Sequence, residues 1–514
     1  AAMKLIRLYI KDHLLLHDLN LRFDRDGRLD EKESYRLDFL VGVNGSGKST
    51  LLRTVVEIFT SLQTGEGAEY QYELEYELEN KGQPIKVLVR KFWETGLEAW
   101  RVISSVQRPD GSQEDLENPV VDRQYRPEGI VVYTTGSEEE WDSILNHRYL
   151  ATNNSPANNE ILADKKKRFI YETPTQVVKK ENTEPIAQEE MPFLLLRSSR
   201  LNGITLCGLL RYLSDTESVN QQPLASVLDA VGIEKLAGFS LRFRIYDRLS
   251  DKSFYEKLNS LDPQPTILQQ ASDRLVVFNL IKNLGSAQRL INLFGGTFEL
   301  FKALDVQLDD DPTHTGSPTL QDINLFLQRR SIEPGEGEFA NAHIPSVFLL
   351  DWLSDGERAF LGRMALLAML DMQDSLIILD EPEAHFNDYW KREIINIADK
   401  MLAGRYNHVL VTTHSSIMLS DVTESQVTLL SKNSQGWSEE VVIRTPILAV
   451  DPSDIMVDWF ETKKSVGAYA TRYLSEALER GNQEELRKLL DQIGPGYWRY
   501  RIQDRLEELD ASSR

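Results

Sequence analysis

Residues 4–10 alternate, with Lys4, Ile6, Leu8 and Ile10 on one side of an extended chain and Leu5, Arg7 and Tyr9 on the other. A period of two marks a strand, and Leu19–Phe23 repeats it. Gly27 and the charged residues up to Tyr35 read as a connecting loop. Asp38–Val43 is a short apolar run that enters a glycine-rich turn. After Ser49 the positions Leu51, Leu52, Val55, Val56 and Phe59 keep helical spacing. Tyr70–Leu78, Ile85–Phe92 and Trp100–Val106 suggest an antiparallel sheet. Ile130–Tyr133 reads as a buried strand ending in Thr134-Thr135-Gly136-Ser137.

Residues 151–190 are rich in Asn, Lys, Glu, Thr and Pro, a composition that reads as a linker or mobile insertion. From Thr205 to Leu327 the pattern is mainly helical, as in Val276, Leu280, Ile281, Leu284 and then Leu290, Ile291, Phe294. Pro263, Gly295-Gly296 and Asp309–Pro312 break it into short helices. No heptad is sustained and no repeat is visible, so a long coiled coil is not expected. From Val347 strands and helices alternate: an apolar run, a turn at Ser354-Asp355-Gly356, and a helix over Glu357–Leu370. A strand at Leu376–Leu379, a helix at Tyr389–Leu402 and a strand at Val409–Thr412 follow. Such alternation predicts a parallel α/β sheet. Strands near Val427–Leu430 and Val441–Ile443 and helices over Val466–Glu479 and Glu484–Gln492 complete the pattern.

The net charge of −22 argues against a protein that coats duplex DNA, since phosphate neutralisation needs surplus Lys and Arg. A local basic patch stays open at Lys165-Lys166-Lys167-Arg168, with Lys179-Lys180, Arg197 and Arg200 downstream; the alternative is a solvated charged loop. Cys207 is the single cysteine, which excludes an internal disulfide or a cysteine zinc site and fits a reducing cytoplasm. Apolar runs fall far short of the roughly 18 residues that span a membrane, and no secretory signal is visible. Ala1-Ala2 ahead of Met3 read as non-native residues. The length of 514 residues leaves room for more than one packed unit.

The chemistry concentrates in four short stretches. Gly42-Val43-Asn44-Gly45-Ser46-Gly47-Lys48-Ser49 has the spacing of a phosphate-binding loop, with a strand before it and a helix after it. Backbone amides of Asn44 to Thr50 would wrap the phosphates, Lys48 would reach the outer ones, and the Ser49 hydroxyl would ligate Mg²⁺. Leu376–Leu379 delivers Asp380 and Glu381 at a strand end, the first suited to hold Mg²⁺ and the second to polarise an attacking water. Leu353-Ser354-Asp355-Gly356-Glu357 opens a helix with Ser354 as its N-cap and Gly356 permitting close approach. His414 ends a later strand, within reach of a γ-phosphate.

In this order the four stretches resemble the Walker A, signature, Walker B and switch-histidine motifs of ABC-class ATPases of the AAA family. The resemblance implies a fold class of α/β type: a mixed-sheet ATPase head with an antiparallel β lobe, here with a compact helical insertion and a C-terminal helical extension. The implied layout is a Walker A lobe at 1–150, linker and insertion at 151–345, a second ATPase lobe at 346–445, and the extension at 446–514. It also implies ATP and Mg²⁺ as cofactors. Two ATP molecules would be sandwiched in a homodimer, with Ser354 and Gly356 of one copy facing the γ-phosphate held by Lys48 of the other; a higher oligomer could be built on that dimer.

Asp380-Glu381-Pro382-Glu383-Ala384-His385-Phe386-Asn387 departs from the transporter pattern and is similar to OLD and RecF/SMC-like prokaryotic ATPases. OLD proteins carry a Toprim nuclease with an Asp-x-Asp cluster, and none follows His414. The resemblance therefore implies a stand-alone ATPase of an anti-phage or restriction system, Septu-type (PtuA) being the nearest, with a separate HNH-type nuclease as partner and nucleic acid as a further one. Two other readings are a RecF/SMC-like DNA-repair ATPase and a nucleotide-locked scaffold with little turnover. Gln124 is the candidate for the glutamine that completes Mg²⁺ coordination.

Overall fold

A computed structural model describes residues 3–65, 67–80, 82–116, 122–142, 144, 193–214, 223–244, 252–270, 273–283, 285–308, 320–329, 347–460 and 467–512. Two compact units are distinguished, 1–449 and 450–514.

Among the described residues the first unit is built on a 13-stranded mixed sheet. Its strands are β1 (Lys4–His13), β2 (Leu16–Arg22), β3 (Arg36–Val41), β4 (Tyr72–Asn80), β5 (Gln83–Glu94), β6 (Ala99–Gln107), β7 (Gln113–Leu116), β8 (Ile130–Thr134) and β9 (Leu194–Leu196). Late in the chain come β15 (Leu376–Asp380), β16 (His408–Thr413), β17 (Val427–Lys432) and β18 (Ser438–Val441). The order across the sheet is β7-β6-β5-β4-β1-β2-β18-β17-β3-β16-β15-β8-β9. One half is an antiparallel lobe that buries alternate residues such as Tyr72, Leu74, Tyr76, Val87 and Val89, as the period of two predicts. In the other half β17, β3, β16, β15, β8 and β9 run parallel. These strands are buried on both faces, which is why Leu376–Leu379 reads as a continuous apolar run. Helix α1 (Lys48–Thr64) lays Leu51, Leu52, Val55, Ile58, Phe59 and Leu62 against the lobe's core.

Among the described residues the insertion is helical but not helical alone. It holds helices at Leu201–Ser214, Pro223–Ala230, Lys252–Asn259, Ser286–Phe294 and Thr297–Gln307, but also a second sheet of five strands. These are β10 (Ile233–Arg244), β11 (Thr266–Gln270), β12 (Asp273–Asn279), β13 (Leu320–Arg329) and β14 (Val347–Leu349), in the order β11-β12-β10-β13-β14 and antiparallel throughout. Val276 and Leu280, read as one helix face, instead belong to β12 and the turn after it. A spacing of four fits a period of two as well as 3.6, and the Val276-Val277-Phe278 run favours a strand. Phe278 stacks on Phe239 of β10 with centroids 4.5 Å apart.

Two glycines fasten the insertion to the head. A Cβ on Gly208 would lie 2.3 Å from the Ala365 carbonyl oxygen, and one on Gly362 would lie 2.5 Å from Leu201. Helices Leu201–Ser214 and Asp355–Met369 therefore approach backbone to backbone. The polar stretch 151–190, with Lys165–Arg168 and Lys179-Lys180, lies outside the described residues.

The second unit carries helices Pro452–Trp459, Ala468–Arg480, Gln483–Gln492 and Tyr497–Ser512. The last three pack around Leu474, Ala477, Leu486, Leu489, Ile502 and Leu506. Among the described residues no helix is long and apolar enough to cross a membrane.

Candidate functional site

Parallel register places the candidate residues on one edge of the sheet. Val41 at the end of β3 pairs with Thr413, Thr412 pairs with Asp380, and Asp380 pairs with Thr134 at the end of β8. Ligands of open parallel sheets bind outside such carboxyl ends.

The turn after β3 is shaped by glycine. Gly42, Gly45 and Gly47 have φ of 152°, 78° and 101°, and a Cβ at Gly42 or Gly47 would meet the Leu430 carbonyl at 2.2 Å or the Ser438 hydroxyl at 2.3 Å. Ser438 donates to the Ser46 carbonyl at 2.7 Å, so β18 braces the loop from behind. Gly47 caps α1 without a side-chain acceptor, which leaves the helix's first amides for an anion. Lys48 is buried, and its Nζ donates to the carbonyls of Gly42 at 2.9 Å and Val43 at 3.3 Å. Burial lowers its pKa, against the opposing pull of Glu381 and Asp380. The Ser46 hydroxyl is buried within the loop and has no partner among the described residues. Asn44 and Gly45 are exposed at the loop tip, and Ser49 and Thr50 occupy the first turn of α1.

Asp380 is buried with its carboxylate oxygens committed. Oδ1 accepts from Thr412 at 2.6 Å and from the Ser49 hydroxyl at 3.4 Å, and Oδ2 accepts from Thr134 at 3.1 Å. Ser49 and Asp380 thus form an all-oxygen pair. That chemistry suits Mg²⁺, which takes one or two protein oxygens and fills the rest from phosphates and water. No group of three or more His, Cys, Asp or Glu fit to hold a metal occurs among the described residues.

Glu381 adopts φ of 53°, a strained value for a side chain this size, and its amide is held by the Thr412 carbonyl at 3.2 Å and hydroxyl at 3.0 Å. Its Oε1 lies 3.1 Å from His414 Nε2. That hydrogen bond, with Lys48 nearby, holds the Glu381 carboxyl below the usual range although burial opposes it. A carboxylate kept ionised at the sheet edge can accept a proton from water.

Ser354 caps helix Asp355–Met369 in a full capping box. Its hydroxyl accepts from the Glu357 amide at 3.3 Å, and the Glu357 carboxylate accepts from the Ser354 amide at 2.8 Å. Gly356 has no positive φ, and a Cβ there would meet Trp390 at 3.4 Å, an ordinary contact. Among the described residues Ser354 bonds only within its own cap; nothing joins it to Lys48, Asp380, Glu381 or His414.

Three groups around the site escaped the sequence reading. Thr134 and Thr412 flank Asp380, and the two threonines at each strand end were the available signal. Arg363 is buried and donates to the Tyr133 hydroxyl at 2.9 Å, to the Pro382 carbonyl at 2.9 Å, and to the Ala384 carbonyl, gripping the turn after Glu381. One candidate is misplaced. Gln124 precedes β8, beside Glu128 and Asp374 at the opposite ends of these strands, and donates to Asp122 at 3.1 Å. Thr134, not Gln124, lies beside Asp380.

A family model described as "AAA domain, putative AbiEii toxin, Type IV TA system" matches residues 331–420. Ser354, Gly356, Asp380, Glu381 and His414 all fall within that span. No curated protein matches the sequence. Among solved structures the chain is similar to the SmcHead bound to the C-winged helix domain of ScpA, at 12% identity and TM-score 0.31 over 86% of this chain and 98% of that one. It is similar to the SMC head domain from Thermotoga maritima at 14% identity and TM-score 0.30, over 86% of this chain and 100% of that one. A third is the Smc head domain with an extended coiled coil bound to the C-terminal domain of ScpA derived from Pyrococcus furiosus, at 14% identity and TM-score 0.30, over 86% and 96%. At such identities and scores the likeness is remote and says nothing about activity.

Proposed function

We propose that this chain binds and hydrolyses ATP as an ABC/SMC-type ATPase. One observation carries the reading: the ends of three neighbouring parallel strands bring Gly42–Ser49, Asp380–Glu381 and His414 to one edge of the sheet. The glycine turn and the open start of α1 would seat the phosphates, with Lys48 swinging from its carbonyls onto them. Ser49 and Asp380 would hold Mg²⁺, which neutralises phosphate charge. Glu381, oriented by His414, would take a proton from the attacking water. Replacing Glu381 by Gln keeps the shape and removes the base. Glu381→Gln should bind ATP yet lose about two to four orders of magnitude in turnover, the usual worth of a general base. Wild-type turnover in that variant removes Glu381 from the role.

The assembly is a homodimer with ATP between two heads. Ser354 is exposed, bonded only within its cap, and sits at a helix start; Gly356 is not demanded by this chain's own packing. Both observations support a surface kept small and amide-rich for a phosphate held by a second copy. In the cell the ATP state would hold or release an effector, in a defence or toxin–antitoxin setting as the description of the matched family suggests. The HNH-type nuclease is the partner to seek first. The DNA-repair alternative draws less support, because Arg197 is paired with Glu138 and Asp142, and Arg200 with Asp305.

A further inference from the structure

Glu383 is a buried acid beside the site that the mechanism above leaves unused. It is 6% exposed, three residues past Asp380 on the turn that follows β15. Its Oε1 accepts from the Thr413 hydroxyl and from the His414 amide, the latter at 3.2 Å. The Thr413 hydroxyl in turn accepts from the Ser415 amide at 2.9 Å. One carboxylate oxygen therefore gathers the last residue of β16 and the backbone of His414. Its other oxygen, Oε2, is buried without a partner among the described residues. Burial pushes the Glu383 carboxyl up, toward the neutral form that a glutamine reproduces.

The covalent path from this clamp to Glu381 is short and stiff. Only Pro382 intervenes, with its φ locked by the ring. Arg363 holds the carbonyls on either side of Glu383, those of Pro382 and Ala384. The Glu383 backbone cannot shift without moving Glu381, and its side chain grips the amide of His414. Glu381 and His414 themselves meet at 3.1 Å between half-exposed side chains, a contact with little rigidity of its own.

We propose that Glu383 is a positioning residue: by tying the turn after β15 to the end of β16 it sets the spacing between Glu381 and His414. This rests on the ATPase reading only for its consequence in turnover; the clamp itself concerns geometry. Removing it should misplace the base and its orienting histidine while the phosphate loop, on β3 and α1, still takes nucleotide.

Steady-state ATPase kinetics and ADP calorimetry on the full chain read the first part. Glu383→Ala should lower kcat about tenfold or more, the range for partners that orient a reacting group, with KM and ADP affinity within about twofold. Glu383→Gln, which keeps the accepting oxygen, should restore most of kcat. In a His414→Ala background Glu383→Ala should add less than about twofold, because both changes break one unit. Thr413→Val approaches the same bond from the other side, should lower kcat without altering KM, and serves if the alanine variant does not fold. The second part is spectroscopic. With ¹³Cε1-labelled histidine, the resonance lost in His414→Ala should move in Glu383→Ala and Thr413→Val and stay in Glu383→Gln. An unmoved resonance, wild-type kcat in the alanine variant, or equal loss of kcat and ADP affinity overturns the inference. A wild-type chain without turnover sinks the ATPase reading alone, and the resonance still decides the clamp.

Discussion

Lys48 at the start of α1 and His408 at the start of β16 illustrate how two buried cation-forming residues serve opposite ends. Lys48 donates to the loop carbonyls of Gly42 and Val43, with the carboxylates of Asp380 and Glu381 near enough to favour its charge. Lys48→Ala should therefore abolish measurable ATP binding by calorimetry while leaving the melting temperature nearly unchanged; unchanged binding contradicts the phosphate-loop reading. His408 is wholly structural. Its Nδ1 accepts from the Leu5 amide at 2.9 Å, so Nε2 carries the proton and donates to Asp38 at 2.8 Å. Asp38 also takes Arg28, whose guanidinium is paired to Asp30 as well. Burial lowers the His408 pKa below 6.5. Its folded form thus binds fewer protons than the unfolded chain just below 6.5, and stability must fall as pH drops through that window. His408→Gln should melt lower at pH 7.5, because buried bonds are lost, yet lose less on going to pH 5.5 than the wild type does. An unchanged slope would show that other groups set the acid sensitivity.

Among elements, helix Asp355–Met369 joins the two halves of the head's chemistry. Its start presents Ser354, its Arg363 grips the turn after Glu381, and its Gly362 admits the insertion helix Leu201–Ser214. The cap alone is worth about 1 kcal/mol, so Ser354→Ala should cost a few degrees of melting temperature at most. Its cost in turnover should be far larger if Ser354 also meets a phosphate, and a proportionate loss in both would leave it a cap. Elements are most legible where one periodicity excludes the other, although the strand read near Val441–Ile443 runs over Ser438–Val441. Leu376–Leu379 was legible because four apolar residues between Ser375 and the acids Asp380-Glu381 are too short for a helix. Val276–Leu280 was not, because its spacing satisfies both periods and the deciding partner, β10, lies some forty residues earlier.

At the scale of the whole molecule the question is whether the site is complete in one copy. Ser354→Arg and Lys48→Ala should each be nearly inactive alone. Mixed, they can form a heterodimer in which one composite site has both halves intact, so partial recovery of ATPase activity is expected. A crosslink between Ser354→Cys and Asn44→Cys in a Cys207→Ser background should form between subunits with ATP. Dead mixtures together with no intersubunit crosslink would end the head-to-tail dimer. Purified chain should not cut DNA with Mg²⁺ or Mn²⁺, since a two-metal site needs a second carboxylate cluster. Cleavage that follows this chain through stringent purification would show that it carries a nuclease of its own.

Local sequence determined the chemistry-bearing pieces: a glycine turn that only glycine can make, a strand ending in two acids, a helix cap, a histidine after a strand. Each is dictated within about ten residues by sterics, burial period or capping, so no distant partner is needed to read it. Tertiary structure decided what those pieces face. Parallel pairing of β3, β16, β15 and β8 is what sets Thr134 and Thr412 against Asp380 and moves Gln124 to the far end of the strands. The same pairing turns Glu383, one more acid in an acidic stretch, into the acceptor for Thr413 and His414. Strand order and register arise from long-range burial, summed over a sheet in which β3 meets β16 and β8 meets β15 across hundreds of residues, and no local pattern encodes them.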